Sequence, residues 1–275
     1  MNQTISYWVD GIEVKREMPG PNEEVIPGVS WGEPWALFTP AYWLSQLWMS
    51  GLDEAAQSPY VARGGLTEEI VFCMLGGYGI TAEMATEVFY RVRSEKLISN
   101  LECSHDAWLD QLKMPILLNG KHRHYRYPNQ KAKFISGAMA HIRKNCLSGK
   151  TGKELRDELL KINGIGLKTA GWVARNYSDS DDVAILDIHL IRACQLCNIF
   201  TPEQKVERDY LEMEARFLEF CHALGARPAV LDCLIWDQMR NYGKVGLNAL
   251  NIKLRGFVEN ISGEAPLQLQ MCIGA

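Results

Sequence analysis

The chain has 275 residues, 47 % hydrophobic and 23 % charged, with a formal net charge of −4. That is the composition of a soluble globular protein, long enough for one large domain or two small ones with a buried core. No apolar run approaches the ~20 residues of a membrane-spanning helix, and the start "MNQTISYWVDGIEVKRE" lacks the basic-then-apolar pattern of a secretory signal.

In chain order, residues 5–16 read as a β-hairpin, because Asp10-Gly11 stands between two alternating runs, a type I′ turn signal. The stretch that follows, to about Pro34, is rich in Pro and Gly and is expected to be irregular. Helical patterns then take over. "TPAYWLSQLWMS" opens with a Thr cap and a Pro in the first turn. "TEEIVFCML" reads as a capped helix with acids in its first turn, and "TAEMATEVFYRVRSEKL" spaces Met84, Val88, Phe89, Val92 and Leu97 at helical intervals. "NQKAKFISGAMAHIRKN" places Phe134, Ile135, Ala138 and Ile142 on one face. "TGKELRDELLKI", "DIHLIRACQLC", "TPEQKVERDYLEMEARFLEFCHAL" and "RPAVLDCLIWDQMRN" complete a mostly α chain with a small N-terminal β element.

The net charge conceals a split. Residues 112–176 hold 14 Lys and Arg against the acids Glu154, Asp157 and Glu158, a net of +11, which leaves −15 for the remainder. A basic middle between acidic flanks suits a face that meets a polyanion, although a solvated Lys-rich face has the same composition.

Within that basic middle, "KINGIGLKTAGWVARN" joins two helices through a tight turn. Glycines at 164 and 166 permit positive φ and a close backbone approach. The start of the second helix offers unpaired N–H groups and the positive end of its dipole to an anion, for which a DNA phosphate is the natural candidate. An ordinary αα-hairpin turn would need no more than the glycines. The apolar run "VAIL" then leads to Asp187, a preferred helix N-cap, 19 residues after Lys168. A cap alone would not call for a lysine just past the hairpin.

Of eight cysteines, Cys194 and Cys197 have C-x-x-C spacing, with no second pair at ligand spacing. They read as structural thiols, the alternative being a metal or cluster pair.

At "INGIGLKTA", "AILDIHLIRA" and "HYRYPNQKAKFI" the sequence resembles the helix-hairpin-helix DNA glycosylase superfamily, and most closely the 8-oxoguanine DNA glycosylase/abasic-site lyases. The resemblance implies two helical subdomains with a cleft between them. The expected segments are 1–66, a β-hairpin and first helix packing with the C-terminal helices; 67–186, a central domain with the hairpin motif at 151–176; and 187–275, a C-terminal helical segment. It implies Lys168 as nucleophile and Asp187 as catalytic carboxylate. Gly164, Gly166, His189, Arg126, Asn129 and Lys131 would contact DNA. Trp172, with Asp232 and Trp236, would line a base pocket, where a core role competes for both tryptophans, and Tyr78 would be the wedge in the duplex. The four C-terminal cysteines of the endonuclease III branch are missing, and the resemblance implies neither metal nor other cofactor.

The implied reaction is excision of a damaged purine, 8-oxoguanine, from double-stranded DNA by base flipping, attack of lysine on C1′ and β-elimination. For the attack the amine must lose its proton, which burial and nearby cations favour. The expected protein is a monomer acting on damaged duplex DNA, in the nucleoid of a cytoplasm or in a nucleus, with no membrane partner. The alternatives are a glycosylase for another modified base and a non-catalytic helix-hairpin-helix DNA-binding protein.

Overall fold

The computed structural model describes residues 1–54, 64–77, 79–145 and 147–242, together with 245, 246, 248 and 251. Tyr78, Cys146 and Cys272 therefore lie outside the described residues. The chain divides into two units, Met1–Ala56 with Leu186–Ala275, and Gln57–Ile185. Helices dominate both.

In the first unit, β1 (Gln3–Val9) and β2 (Ile12–Met18) pair antiparallel with Val9 opposite Ile12. Asp10 and Gly11 turn between them at φ 49° and 80°, the two positive φ values a type I′ turn requires. The segment expected to be irregular instead contains a second short pair, β3 (Glu24–Ile26) and β4 (Val29–Ser30). Its physical reason is that Ile26 and Val29 are buried while Pro27-Gly28, with Gly28 at φ 78°, makes the tight turn. Helix α1 (Pro40–Met49) starts as its sequence indicates, with the Thr39 hydroxyl accepting from the Tyr42 N–H at 3.1 Å. The remaining helices of this unit are α8 (Ile188–Leu196), α9 (Val206–Ala223) and α10 (Pro228–Tyr242). Helix α10 packs on α1, α8 and α9, burying Trp43, Leu47, Phe217, Phe220 and Leu231. Cys194, Cys197, Cys221 and Cys233 are buried free thiols here.

The second unit comprises α2 (Leu66–Leu75), α3 (Ala82–Ser94), α4 (His105–Lys113), α5 (Pro128–Lys144), α6 (Gly152–Leu159) and α7 (Leu167–Ser178). A hairpin of β5 (Ile116–Leu118) and β6 (Lys121–Arg123) joins α4 to α5. Its core takes one stripe from each helix: Ile70 and Leu75, Val88 and Val92, Trp108 and Leu112, Ile135 and Met139, Leu155 and Leu159, Ala170 and Val173. Each large side chain buried there contributes about 1.5–3 kcal/mol. Helix α2 departs from its expected start: its N-cap is Gly65 and no side chain caps it. All of the basic segment 112–176 falls in this unit.

Candidate nucleic-acid interface

Helices α6 and α7 form the anticipated hairpin, but its construction is tighter than the glycine pattern suggests. Thr151 makes no side-chain cap to α6. The last residue of α7 and one just past it take its place: the Ser178 hydroxyl accepts from Gly152 N–H at 3.2 Å, and the Asp182 carboxylate accepts from Lys153 N–H at 3.1 Å. Gly152 sits at φ 49°, and a Cβ on it would lie 2.7 Å from the Asp182 carboxyl carbon, so the glycine makes room for the cap. Ile162 and Ile165 anchor the turn in the core.

The two glycines of the turn play different parts. Gly164 has φ 89°, and a Cβ there would stand 2.6 Å from Cδ2 of Phe134, which lies under the turn. Gly166 has φ −101° and ψ 178°, ordinary extended backbone, and a Cβ on it would meet nothing within 4 Å. The expectation of positive φ thus holds for Gly164 and fails for Gly166, whose N-cap position is extended. No internal contact calls for glycine at 166, and its outer side is open to a ligand. Helix α7 begins there without a side-chain cap, so the amides of its first turn are offered outward at the positive end of the dipole. Lys168 is in that first turn and is exposed.

One turn further on, Trp172 is half-buried and packs on α2. Its ring meets Phe72 edge-on at 6.0 Å, and a Cβ on Gly76 would come within 3.0 Å of its Cζ3. Behind it, buried Asn176 donates to Glu69 at 2.7 Å, Arg175 donates to Asn176 at 3.0 Å, and the Cys73 thiol donates to Glu69 at 3.3 Å. Burial raises the Glu69 carboxyl above its usual range, against the lowering effect of these hydrogen bonds and of the Arg175 charge. This polar junction between α2 and α7 escaped the sequence reading, in which Glu69 passes for a first-turn acid.

The segment ahead of α5 also differs from expectation. Arg126 and Asn129 are exposed, as DNA contacts need to be. Arg126 lies over the Tyr127 ring at 5.2 Å and against Gly79, where a Cβ would be 2.9 Å from its Cζ. Lys131, expected at the DNA, is turned inward: its ammonium donates to the carbonyls of Met74 and of Gly76, the latter at 2.6 Å. The reason is the end of α2, whose last carbonyls have no intrahelical partner. Desolvation pushes Lys131 down to about 8. The Tyr125 hydroxyl caps the carbonyl between, donating to Leu75 at 2.5 Å.

In the first unit, Asp187 caps α8. Its Oδ1 accepts from the N–H groups of His189 at 2.9 Å and Leu190 at 2.8 Å. The preceding residues Val183, Ala184, Ile185 and Leu186 are all buried, and Leu186 N–H donates to the Tyr210 hydroxyl at 3.3 Å. The apolar run therefore fixes the backbone that presents a half-buried carboxylate. Burial lowers the Arg192 guanidinium below its ordinary value, against the raising effect of the Asp187 charge. The His189 ring stands edge-on to Trp236 at 6.4 Å, and Arg240 lies over the same indole at 5.2 Å. Asp232, one turn before Trp236, is 3 % exposed and faces the interior of the unit.

A helix pair closed by a glycine turn, with an uncapped second helix and a basic surround, is a helix-hairpin-helix. Residues 61–226 match the family model described as 8-oxoguanine DNA glycosylase (Ogg-HhH), and the chain belongs to that family. A Metallosphaera sedula protein named 8-oxoguanine DNA glycosylase/AP lyase is 32 % identical over 122 residues, covering 42 % of this chain and 59 % of that protein. A Thermoplasma volcanium protein of the same name is 29 % identical over 178 residues, covering 63 % of this chain and 79 % of its own length. The crystal structure of Methanocaldococcus jannaschii 8-oxoguanine glycosylase/lyase with a 15mer DNA containing 8-oxoguanine aligns at 28 % identity and a TM-score of 0.48, over 62 % of this chain and 78 % of that one.

Proposed function

We propose that this protein excises 8-oxoguanine from double-stranded DNA and cuts the strand at the resulting abasic site. The observation that carries the reading is the start of α7: an uncapped helix N-terminus, an open glycine at 166 and an exposed lysine at 168, in a chain of this family. The backbone amides hold a phosphate of the damaged strand, which brings the extruded nucleotide to the amine. The bound duplex then supplies the desolvation that the free unit lacks, favouring the neutral amine.

Lys168 Nζ forms a bond to C1′ as the glycosidic bond breaks, and the departing base takes the electron pair and a proton. Asp187, held ready by two backbone donors, steadies the positive charge that develops on the sugar. Opening of the sugar ring gives a Schiff base. Loss of a C2′ proton expels the 3′ phosphate, and hydrolysis frees the lysine. His189 and the hairpin amides bind the backbone; Trp172 and Trp236 are the aromatic candidates for the base, and Asp232 the polar one. The working form is a monomer, wherever the cell keeps its DNA.

Cleavage and borohydride trapping on duplexes with 8-oxoguanine opposite each of the four bases test the reading. An adduct that disappears in Lys168→Gln is the expected result. Excision without an adduct would overturn the nucleophile, and duplex binding with neither excision nor cleavage would leave a binding module. Cleavage of another modified base in preference would move the substrate and keep the chemistry.

A further inference from the structure

The end of α2 is unusual in how its carbonyls are satisfied. Gly76 leaves the helix in extended conformation, φ −73° and ψ 176°, so its N–H reaches the Cys73 carbonyl at 3.3 Å but the chain does not continue into the left-handed turn of a glycine cap. Three successive carbonyls, Met74, Leu75 and Gly76, are bound instead by side chains at the start of α5 and just ahead of it: Lys131 takes the outer two and Tyr125 the middle one. An ammonium also suits the negative end of the α2 dipole. The glycines that follow are each spoken for. Gly76 gives way to the Trp172 ring, Gly77 has φ 139° with the Lys131 ammonium 3.4 Å from where its Cβ would be, and Gly79 gives way to Arg126. A hydrogen bond from Ile80 N–H to Gly77 O at 3.1 Å closes the turn. The first of these contacts leads to the candidate catalytic helix, because Trp172 lies one turn after Lys168 on the same face.

We infer that Lys131 is a positioning residue for base extrusion, seating the Gly76-Gly77 exit of α2 against Trp172 so that this exit meets the duplex at a fixed distance from Lys168. The inference rests on the glycosylase reading above. Among the described residues these two carbonyls are the hydrogen-bond partners of Lys131, so its removal leaves Met74 and Gly76 unpaired and the exit unsupported. A loose exit impairs the step in which an intact base must leave the stack. It matters less for an abasic site, which has no base to extrude.

The experiment compares single-turnover excision from an 8-oxoguanine·cytosine duplex with borohydride trapping on a preformed abasic duplex, for wild type, Lys131→Met and Lys131→Arg. Lys131→Met keeps the aliphatic stem and loses the donors. Its ratio of excision to trapping is expected to fall about tenfold, the effect of one charge-assisted hydrogen bond, and Lys131→Arg, which still carries charged donors, is expected to recover most of it. Parallel loss of both activities in Lys131→Met, or an unchanged ratio, overturns the assignment, as does Lys131→Arg behaving like Lys131→Met. Should Lys131→Met fail to fold, the ratio in Lys131→Arg together with that of Tyr125→Phe, which frees the Leu75 carbonyl, decides the matter: both at the wild-type value would refute a positioning role for this seat. A wild-type protein inactive on every duplex would instead refute the glycosylase reading.

Discussion

Substituting alanine at each glycine of the α6–α7 turn separates what the fold needs from what the DNA needs. At Gly164, φ 89° puts alanine in the left-handed region, a cost of about 1–2 kcal/mol. The added methyl would also lie 2.6 Å from Phe134 Cδ2, and overpacking of that kind costs about 1–3 kcal/mol. Gly164→Ala should therefore lose about 2–4 kcal/mol, a drop in Tm of roughly 5–15 °C. At Gly166 the φ of −101° and the open space beyond Cβ remove both terms. Alanine is a poorer N-cap than glycine by several tenths of a kcal/mol but lowers the entropy of the unfolded chain by a comparable amount. The net change should stay within about 0.5 kcal/mol, or ~2 °C. On the proposed function the same methyl stands in the path of a phosphate, so the affinity of Gly166→Ala for a duplex with an abasic analogue should fall about tenfold. Thermal melting paired with fluorescence anisotropy at one fixed salt concentration reads both quantities. Equal melting losses in the two variants, or wild-type affinity in a well-folded Gly166→Ala, would refute the division of labour.

Asp187→Asn should keep the α8 cap, since asparagine caps as well as aspartate, while Asp187→Ala should lose about 1 kcal/mol in urea unfolding; both should lose base excision, and an active Asp187→Asn would reduce the carboxylate to a cap. Glu69 should give stability a pH dependence. Its folded pKa lies above the ordinary 4.5, so the folded state holds that proton more tightly, and the associated stability is present at low pH and lost as pH rises through the raised value. Denaturation across that window should show Glu69→Gln gaining on wild type as pH rises; a constant difference would contradict a desolvated carboxyl. Lys131 should act at the alkaline end. Its folded value of about 8 lies below the ordinary 10.5, so between these the unfolded chain binds more protons and stability rises with pH. Lys131→Met should flatten that rise, and an identical slope in the two proteins would refute it.

The parts of the fold that rest on local chemistry were legible in the sequence. Asp10-Gly11 specified its turn, Thr39 and Asp187 specified their caps, and helical spacing found the buried faces of α3 and α5. The hairpin at Asn119-Gly120, with φ 50° and 72°, carried the same signal as the first and was overlooked between longer helical patterns. What stayed hidden depends on partners distant in sequence. Nothing in "TGKEL" shows that Asp182 rather than Thr151 caps α6, because that bond spans 29 residues. Nothing in a run of cations shows that Lys131 turns inward while Arg126 and Lys133 stay exposed. The glycine pattern revealed a turn but not that one glycine answers to Phe134 and the other to open space. The cap by Asp187 and the hairpin that carries Lys168 were legible in their strings, whereas the exposure of Lys168 was not.

Helix α5 underlies two glycine turns of the second unit, the one after α2 and the one between α6 and α7. Lys131 holds the end of α2, and Phe134, three residues on, lies beneath the α6–α7 turn. Three residues of helix advance about 4.5 Å, so a single rigid rod gauges how far apart two stretches of bare backbone are carried. Inserting one residue between those positions would swing one contact about 100° away from the other. The spacing of the two turns is therefore written in the pitch of one helix, and neither turn can be re-aimed without disturbing its neighbour.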